Sequence, residues 1–410
     1  MKKKIGMFLG VLFLMNVSLF AGEISFFGKT DKNPLNYKPG EKIVFTVQTL
    51  EDGKPVAGKE LLWTREGDDG ITENGTAISS DKEPLTITTK LEIAGFVHLI
   101  VRVKGLQGKD NQKFNGGAGV LIYAIGKTVE PADFDAYWDA QKAALAKVPV
   151  RASLKKLESA NPKFEVYDVV VDCLGKPVRG IMCKPVGAKA KSLPAYVFYH
   201  GYGVNSSSRR MIPNALSFDV NANSVLNEQP KEYYENLKKT TLKGYGFSVE
   251  ENSKRETSYW NGVLLRVMRA LDYIKQQPEW NGRDLSVSGG SQGGFQSLSA
   301  AGLDSDVSFC SAAVPWMCDI SGKEENGRVG SLFRPKWTPA LGYFDTANHA
   351  RRIKCRTNIS AGLGDYVCPP SGVMVLFNQI GAPKKLTFNQ GQTHGYHMPN
   401  AQSFVLNKGM

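Results

Sequence analysis

The sequence predicts an α/β protein, a mostly parallel sheet with helices on both faces, preceded by an all-β sandwich. Three observations predict it. Strand-like and helical segments alternate over about the last 285 of the 410 residues, the pattern of parallel strands joined by crossover helices. The roughly 100 residues before them show short period-2 strands and dense turn signals. A Gly-x-Ser-x-Gly string stands where one strand gives way to a helix.

The chain opens with Lys2, Lys3 and Lys4, an apolar run over 5–14 and a polar break at 16–18 before Ala21. This predicts a signal peptide over 1–21 and export to the periplasm or beyond the cell. The run is too short for a comfortable span, and no other stretch reaches about 18 apolar residues, so no membrane helix is expected. Residues 22–126 read as the β domain. Val97, Leu99, Val101 and Val103 alternate with His98, Ile100, Arg102 and Lys104, and Ile43, Phe45 and Val47 repeat the pattern. Pro39-Gly40, Asp52-Gly53, Asp69-Gly70 and Asn74-Gly75 read as turns. Such strands suggest an immunoglobulin-like sandwich, lacking the inter-sheet disulfide because it holds no cysteine. No aromatic platform stands out in it, which favours a spacer or lid over a sugar-binding module.

Residues 127–410 carry the alternation. Pro131 and Asp133 suit the first turn of a helix bearing Phe134, Trp138, Leu145 and Val148. Strands over 166–171 and 180–184 flank a turn at Gly175-Lys176-Pro177. The apolar run 195–199 reads as a strand buried on both faces, ending at His200-Gly201. An amphipathic helix over 261–274 follows, then a strand at 284–288, a helix at 295–301, a strand at 359–363 and a helix at 372–380. A strand over 385–388 closes the series.

Composition excludes several classes. At 42% hydrophobic and 22% charged, the chain is neither disordered, collagenous nor a coiled-coil rod. The formal charge of +12 comes from basic residues spread along the chain, which fits solubility better than a nucleic-acid patch. Six cysteines show no CxxC spacing, so neither a disulfide framework nor a metal site is expected. Cys355 and Cys368 flank one strand and are the pair placed to meet.

The chemistry centres on Gly289-Gly290-Ser291-Gln292-Gly293. Read as Gly289-x-Ser291-x-Gly293 between a strand and a helix, it is the nucleophile elbow of the α/β-hydrolase fold, where a side chain at 289 or 293 would strike neighbouring backbone. A serine hydroxyl needs a base, and the base an orienting carboxylate. In this fold they follow in the order Ser, acid, His. Asp365 stands directly after a strand, unlike Asp319 and Asp345. Of five histidines, His394 follows the last strand by a short loop, with His397 as the one alternative. The oxyanion donors expected are the backbone N–H of Gln292 and, in the loop after the strand 195–199, that of Tyr202. No cofactor is required by this chemistry.

Four stretches make the last 285 or so residues resemble the acetylxylan esterase and cephalosporin-C deacetylase family. They are Pro131-Ala132-Asp133-Phe134-Asp135-Ala136-Tyr137-Trp138, Gly289-Gly290-Ser291-Gln292-Gly293-Gly294, Val314-Pro315-Trp316-Met317-Cys318-Asp319, and the segment 362–371 with its Asp365-x-x-Cys368-Pro369-Pro370-Ser371. The resemblance implies removal of acetyl groups from acetylated oligosaccharides or polysaccharides, with Ser291, Asp365 and His394 as triad and Tyr202 and Gln292 as oxyanion donors. It also implies a homo-oligomer, since members form ring-like hexamers. Two departures stand out. The family's Arg-Gly-Gln segment has no match near 218–223, and Gly395 replaces the glutamate that follows the histidine. The rival readings are a different hydrolase on the same fold (a peptidase or long-chain lipase) and a non-catalytic carbohydrate binder. Ester, acyl-chain and amide preferences separate the first; sugar binding indifferent to Ser291→Ala would mark the second.

Overall fold

The computed structural model describes residues 22–106 and 108–409; the predicted signal peptide lies outside them. The N-terminal region consists of β1 (Ile24–Thr30), β2 (Ile43–Glu51), β3 (Lys54–Pro55), β4 (Glu60–Gly67), β5 (Thr72–Ile78), β6 (Leu85–Thr89), β7 (Gly95–Val103) and β8 (Lys113–Val120). They form two antiparallel sheets: β2 pairs with β1, β3 and β6, and the second runs β5-β4-β7-β8. The inward residues of both, among them Phe45, Val47, Leu61, Val97, Leu99 and Phe114, share one core.

Two details depart from the sequence reading. Asn74-Gly75 is no turn but lies inside β5, where Gly75 faces Trp63 and a Cβ would strike the indole. His98, on the outward register, is buried, because the outer face of this sheet lies against the loops at 329–332 and 365–371.

The remainder comprises α1 (Phe134–Ala146), β9 (Ala152–Leu157), β10 (Phe164–Val171), β11 (Val178–Pro185), β12 (Leu193–Tyr199), β13 (Leu216–Asn221), α2 (Lys231–Lys239), α3 (Tyr259–Lys275), β14 (Trp280–Gly290), α4 (Gln292–Leu303), β15 (Phe309–Ala313), α5 (Gly322–Asn326), α6 (Thr346–Ala350), β16 (Arg356–Gly362), α7 (Pro370–Gln379), β17 (Lys384–Asn389) and β18 (Ser403–Lys408). One ten-stranded sheet has the order β18-β17-β16-β15-β14-β12-β13-β11-β10-β9. The six strands from β13 to β17 are mutually parallel, and antiparallel strands flank them on both sides. Burial on both faces holds for β13, whereas β12 and β14 bury one face fully, with Val197 and Tyr199 and with Leu285 and Val287, and leave Tyr196, Phe198 and Ser286 half-buried on the other. The expected burial of 195–199 on both faces is therefore only partly met.

Here too the structure corrects particular expectations. The first helix begins at Phe134, so Pro131 lies outside it. Asp133 stands at its N-cap without capping, because its carboxylate bonds Arg255 and Tyr343 instead. Helix α3 is buried nearly all round rather than amphipathic. Its Arg266 and Arg269 are used inside: Arg266 donates to the Ala222 carbonyl, and Arg269 to the carbonyls of Leu145 in the last turn of α1 and of Val148 just beyond it. The sheet does not end at β17, for β18 adds an exposed antiparallel edge. All six cysteines, Cys355 and Cys368 included, are free thiols. Among the described residues no helix is long and apolar enough to cross a membrane.

Candidate active site

The parallel strands end together at one edge, and four loops leave from their carboxyl ends, where open α/β sheets place ligands. Tyr199 at the end of β12 is level with Gly289 of β14, and Gly362 of β16 with Asn389 of β17. The loop after β12 carries Tyr202, the turn after β14 Ser291, the loop after β16 Asp365 and the loop after β17 His394.

The turn at Ser291 is tight for a definable reason. Ser291 adopts φ +56° and ψ −120°, a region strained for a residue with a Cβ. Its N–H donates to Ala313 at 2.9 Å, and its carbonyl accepts from Phe295 and Trp316, both at 3.1 Å. A Cβ on Gly289 would sit 2.5 Å from the Gly293 backbone and from the Tyr199 carbonyl, and a Cβ on Gly293 would collide with that same carbonyl. The spacing Gly-x-Ser-x-Gly is thus a clearance requirement of the crossing between β12 and α4.

The three side chains proposed from the sequence are adjacent. His394 Nε2 lies 2.9 Å from Ser291 Oγ, and its Nδ1 lies 3.0 Å from Asp365 Oδ2. The other Asp365 oxygen accepts the N–H groups of Val367 and Cys368, each at 2.8 Å. That carboxylate is wholly buried, whereas 23% of the His394 side chain is exposed. With Asp365 an acceptor, His394 carries its proton on Nδ1 and leaves Nε2 free to take one from the serine. His397 is exposed and pairs with Gln392. Asp345 caps α6 through the Ala347 N–H at 2.8 Å, and Asp319 pairs with the buried Arg328.

The two expected oxyanion donors border the serine. Gln292 is the first residue of α4, whose N–H has no acceptor within the helix. The loop of Tyr202 passes close by, since a Cβ on Gly201 would be 3.8 Å from that of Ser291. His200 holds this loop: its Nδ1 donates to the Gly201 carbonyl at 2.8 Å and its Nε2 accepts the Ala222 N–H at 3.2 Å.

Sequence reasoning missed Tyr245, which lies in a segment without periodicity. Its hydroxyl accepts the Gly203 N–H and donates to Gln292 Oε1, both at 2.9 Å. Its ring stacks on that of Tyr202 with centroids 4.4 Å apart. One phenol thus joins the two pieces of chain that bear the expected donors. Tyr202, Phe247, Trp316 and Phe333 add an aromatic wall beside them.

Asp365, Cys368 and His394 have donor atoms within 4.8 Å of one another. Their chemistry does not suit a resident cation. The carboxylate and imidazole are already committed to each other and to backbone N–H groups, and burial pushes the Cys368 thiol up, which keeps it protonated.

The family model described as acetyl xylan esterase (AXE1) matches residues 121–325 and 335–407. The acetyl esterase Axe7A of Xylanibacter ruminicola is 30% identical over 276 residues, which span 63% of this chain and 62% of that protein. The acetyl xylan esterase from Paenibacillus sp. R4 superposes with a TM-score of 0.55 at 25% identity, over 67% of this chain and 93% of that one. Acetyl xylan esterase 1 from Thermoanaerobacterium sp. JW/SL YS485 gives the same TM-score at 22% identity, over 68% and 93%, which speaks to the α/β-hydrolase fold alone. The sheet order, the elbow at Ser291 and the family match over more than half its length establish that the chain belongs to the acetyl xylan esterase family.

Proposed function

We propose that this protein is an exported serine esterase that removes acetyl groups from acetylated sugars of the xylan type through an acyl-enzyme. The observation that carries the reading is His394 lying within hydrogen-bond reach of both Ser291 Oγ and Asp365. Ser291 Oγ bonds to the acetyl carbonyl carbon as His394 Nε2 takes its proton. The carbonyl oxygen, now negative, is held by the N–H groups of Gln292 and Tyr202, where loss of one donor typically costs about 3 kcal/mol. The bond to the sugar oxygen then breaks as His394 returns the proton to that oxygen. Water repeats the sequence, and acetate leaves with Ser291 restored.

Residues 1–21 serve as the export signal, 22–126 as an immunoglobulin-like module and 127–410 as the catalytic domain. Two facing antiparallel sheets with one core support the second assignment, and the family match beginning at residue 121 supports the boundary. The family resemblance supports a homo-oligomer.

The test is acetate release from acetylated xylo-oligosaccharides, together with rates on p-nitrophenyl esters of increasing chain length and on peptide amides. Preference for acetyl and its loss in Ser291→Ala are expected. Preference for a long acyl chain or an amide overturns the substrate class, and full activity in Ser291→Ala overturns the mechanism.

A further inference from the structure

Asp110 lies in the N-terminal β region, on the short turn Asp110–Gln112 that leads into β8, yet its carboxylate bonds to both loops that carry the acid and the base. Tyr366 Oη lies 3.2 Å from each of its oxygens, and Thr393 Oγ1 donates to Oδ2 at 2.7 Å. Tyr366 directly follows Asp365, and Thr393 directly precedes His394. A single carboxylate from another part of the fold therefore ties together the immediate neighbours of two residues that must stay in hydrogen-bond contact.

The placement explains why such a tie is useful. The loops after β16 and β17 continue the strand pairing for a short way, with Leu363 N–H donating to Asn389 and Gly364 N–H to Gln392, both at 3.0 Å. Beyond these bonds the backbone ladder between the loops ends. From there the relative position of Asp365 and His394 depends on side chains, and a charged acceptor makes the stronger hydrogen bonds.

The surrounding seat is built to match. The Gln390 side chain pairs with both the N–H and the carbonyl of Gly117 in β8, at 2.9 and 3.0 Å. Met398, beyond the histidine, is buried in the core of the β region. A Cβ on Gly117 would stand 2.6 Å from the Leu363 carbonyl, and one on Gly364 would strike the Asn115 backbone. The β region thus grips the base loop on both sides of His394 and meets the acid loop backbone to backbone.

We infer that Asp110 is a positioning residue for the reaction, setting the separation of the acid and base loops so that His394 reaches Ser291 and Asp365 at once. The inference rests on the serine-esterase reading above. It assigns the β region a part in catalysis that does not depend on binding sugar.

The test uses the full chain, p-nitrophenyl acetate turnover, and the rate of Ser291 labelling by a fluorophosphonate, which needs the triad but no sugar. Asp110→Ala is expected to lower kcat about 10- to 100-fold, the scale of a displacement near 1 Å, with KM within about twofold and labelling slowed in parallel. Asp110→Asn, which keeps one acceptor, should fall between. In a Thr393→Val/Tyr366→Phe background, Asp110→Ala should cause little further loss, because the bonds it acts through are already gone. Wild-type kcat in folded Asp110→Ala overturns the inference, as does a fully additive loss in the triple variant. Should Asp110→Ala fail to fold, Tyr366→Phe alone reads the same clamp, and unchanged kcat and labelling there overturn it. A wild-type chain that turns over p-nitrophenyl acetate but no acetylated sugar overturns only the substrate reading.

Discussion

Tyr245→Phe removes one oxygen and keeps the ring that stacks on Tyr202. Two partners lose their bond: the Gly203 N–H and the Oε1 of Gln292. Gln292 is fully buried, and its Nε2 already has no partner among the described residues, so its amide becomes unsatisfied at both ends. A buried polar group left without a partner costs about 1–3 kcal/mol. Taking Gln292 near the top of that range and the half-buried Gly203 near the bottom gives a loss of about 2–4 kcal/mol in stability. The effect on rate follows from geometry. Deleting one oxyanion donor costs about 100- to 1,000-fold in kcat, whereas here both proposed donors remain but lose their common tie, so a fall of about tenfold is expected. Because the donors act on charge that develops only in the transition state, kcat should carry the loss and KM should barely move. Steady-state turnover of p-nitrophenyl acetate and urea denaturation read the two quantities on one preparation. A destabilised variant with unchanged kcat would show that the phenol braces the fold without shaping the donors, and unchanged values of both would refute the reasoning entirely.

Other substitutions probe other contacts. Ser291→Gly and Ser291→Ala should each lose at least about 10,000-fold in esterase rate. The glycine variant should nonetheless be the more stable by about 1 kcal/mol, because φ +56° strains alanine and not glycine; an equal or lower melting temperature than that of the alanine variant would refute the strain account. Gly293→Ala drives a Cβ into the Tyr199 carbonyl, so expression of soluble protein should collapse or stability fall by about 3 kcal/mol or more, and a well-folded, active variant would contradict the clearance argument. His349 is buried against Phe134 and Trp138, neither ring nitrogen has a partner among the described residues, and burial pushes its pKa down from 6.5 to about 3. The folded chain therefore leaves it neutral while the unfolded chain protonates it, so its contribution is intact above pH 6.5 and is lost as pH falls from there toward 3. Urea denaturation should show His349→Phe gaining about 3 kcal/mol relative to wild type between about pH 7 and about pH 4.5; a difference independent of pH would count against this. The Asp345 carboxyl, pushed up to about 7, acts in the opposite sense but is common to both proteins and cancels in the comparison.

What could be read from the sequence depended on whether a function left a local mark. The elbow at Ser291 did, because clearance between crossing backbones demands glycine at fixed spacing. Asp365 and His394 were readable from chain order and from the scarcity of histidine, and in the structure His394 adjoins Ser291 while Asp365 adjoins His394. The strand β12 announced itself as a short apolar run. Tyr245 left no such mark, since its role is a hydroxyl reaching Gln292 from 47 residues away, and nothing in the composition of 205–258 singles it out. Asn74-Gly75 misled for a related reason: the glycine answers to the Trp63 ring on the neighbouring strand, not to a turn. Asp110 was equally silent, a polar residue on a surface turn until the fold brings two other loops to it.

These contacts rank the three site residues by how firmly the backbone holds them. Ser291 is held by three main-chain hydrogen bonds and by the crossing of β12 over α4. Asp365 is buried and takes two N–H groups on one oxygen, an arrangement fixed within its own loop. His394 is different. It stands partly exposed on a loop outside the sheet, and among the described residues its ring bonds only Asp365 and Ser291. An imidazole so placed can lose alignment with little cost to the fold, so constraints on its loop have the greatest leverage on rate for the least effect on stability. The β region supplies such constraints at Gln390, Thr393 and Met398, on both sides of the histidine. A region that did no more than space or cover the site would have no physical reason to hold that loop on both sides of its histidine.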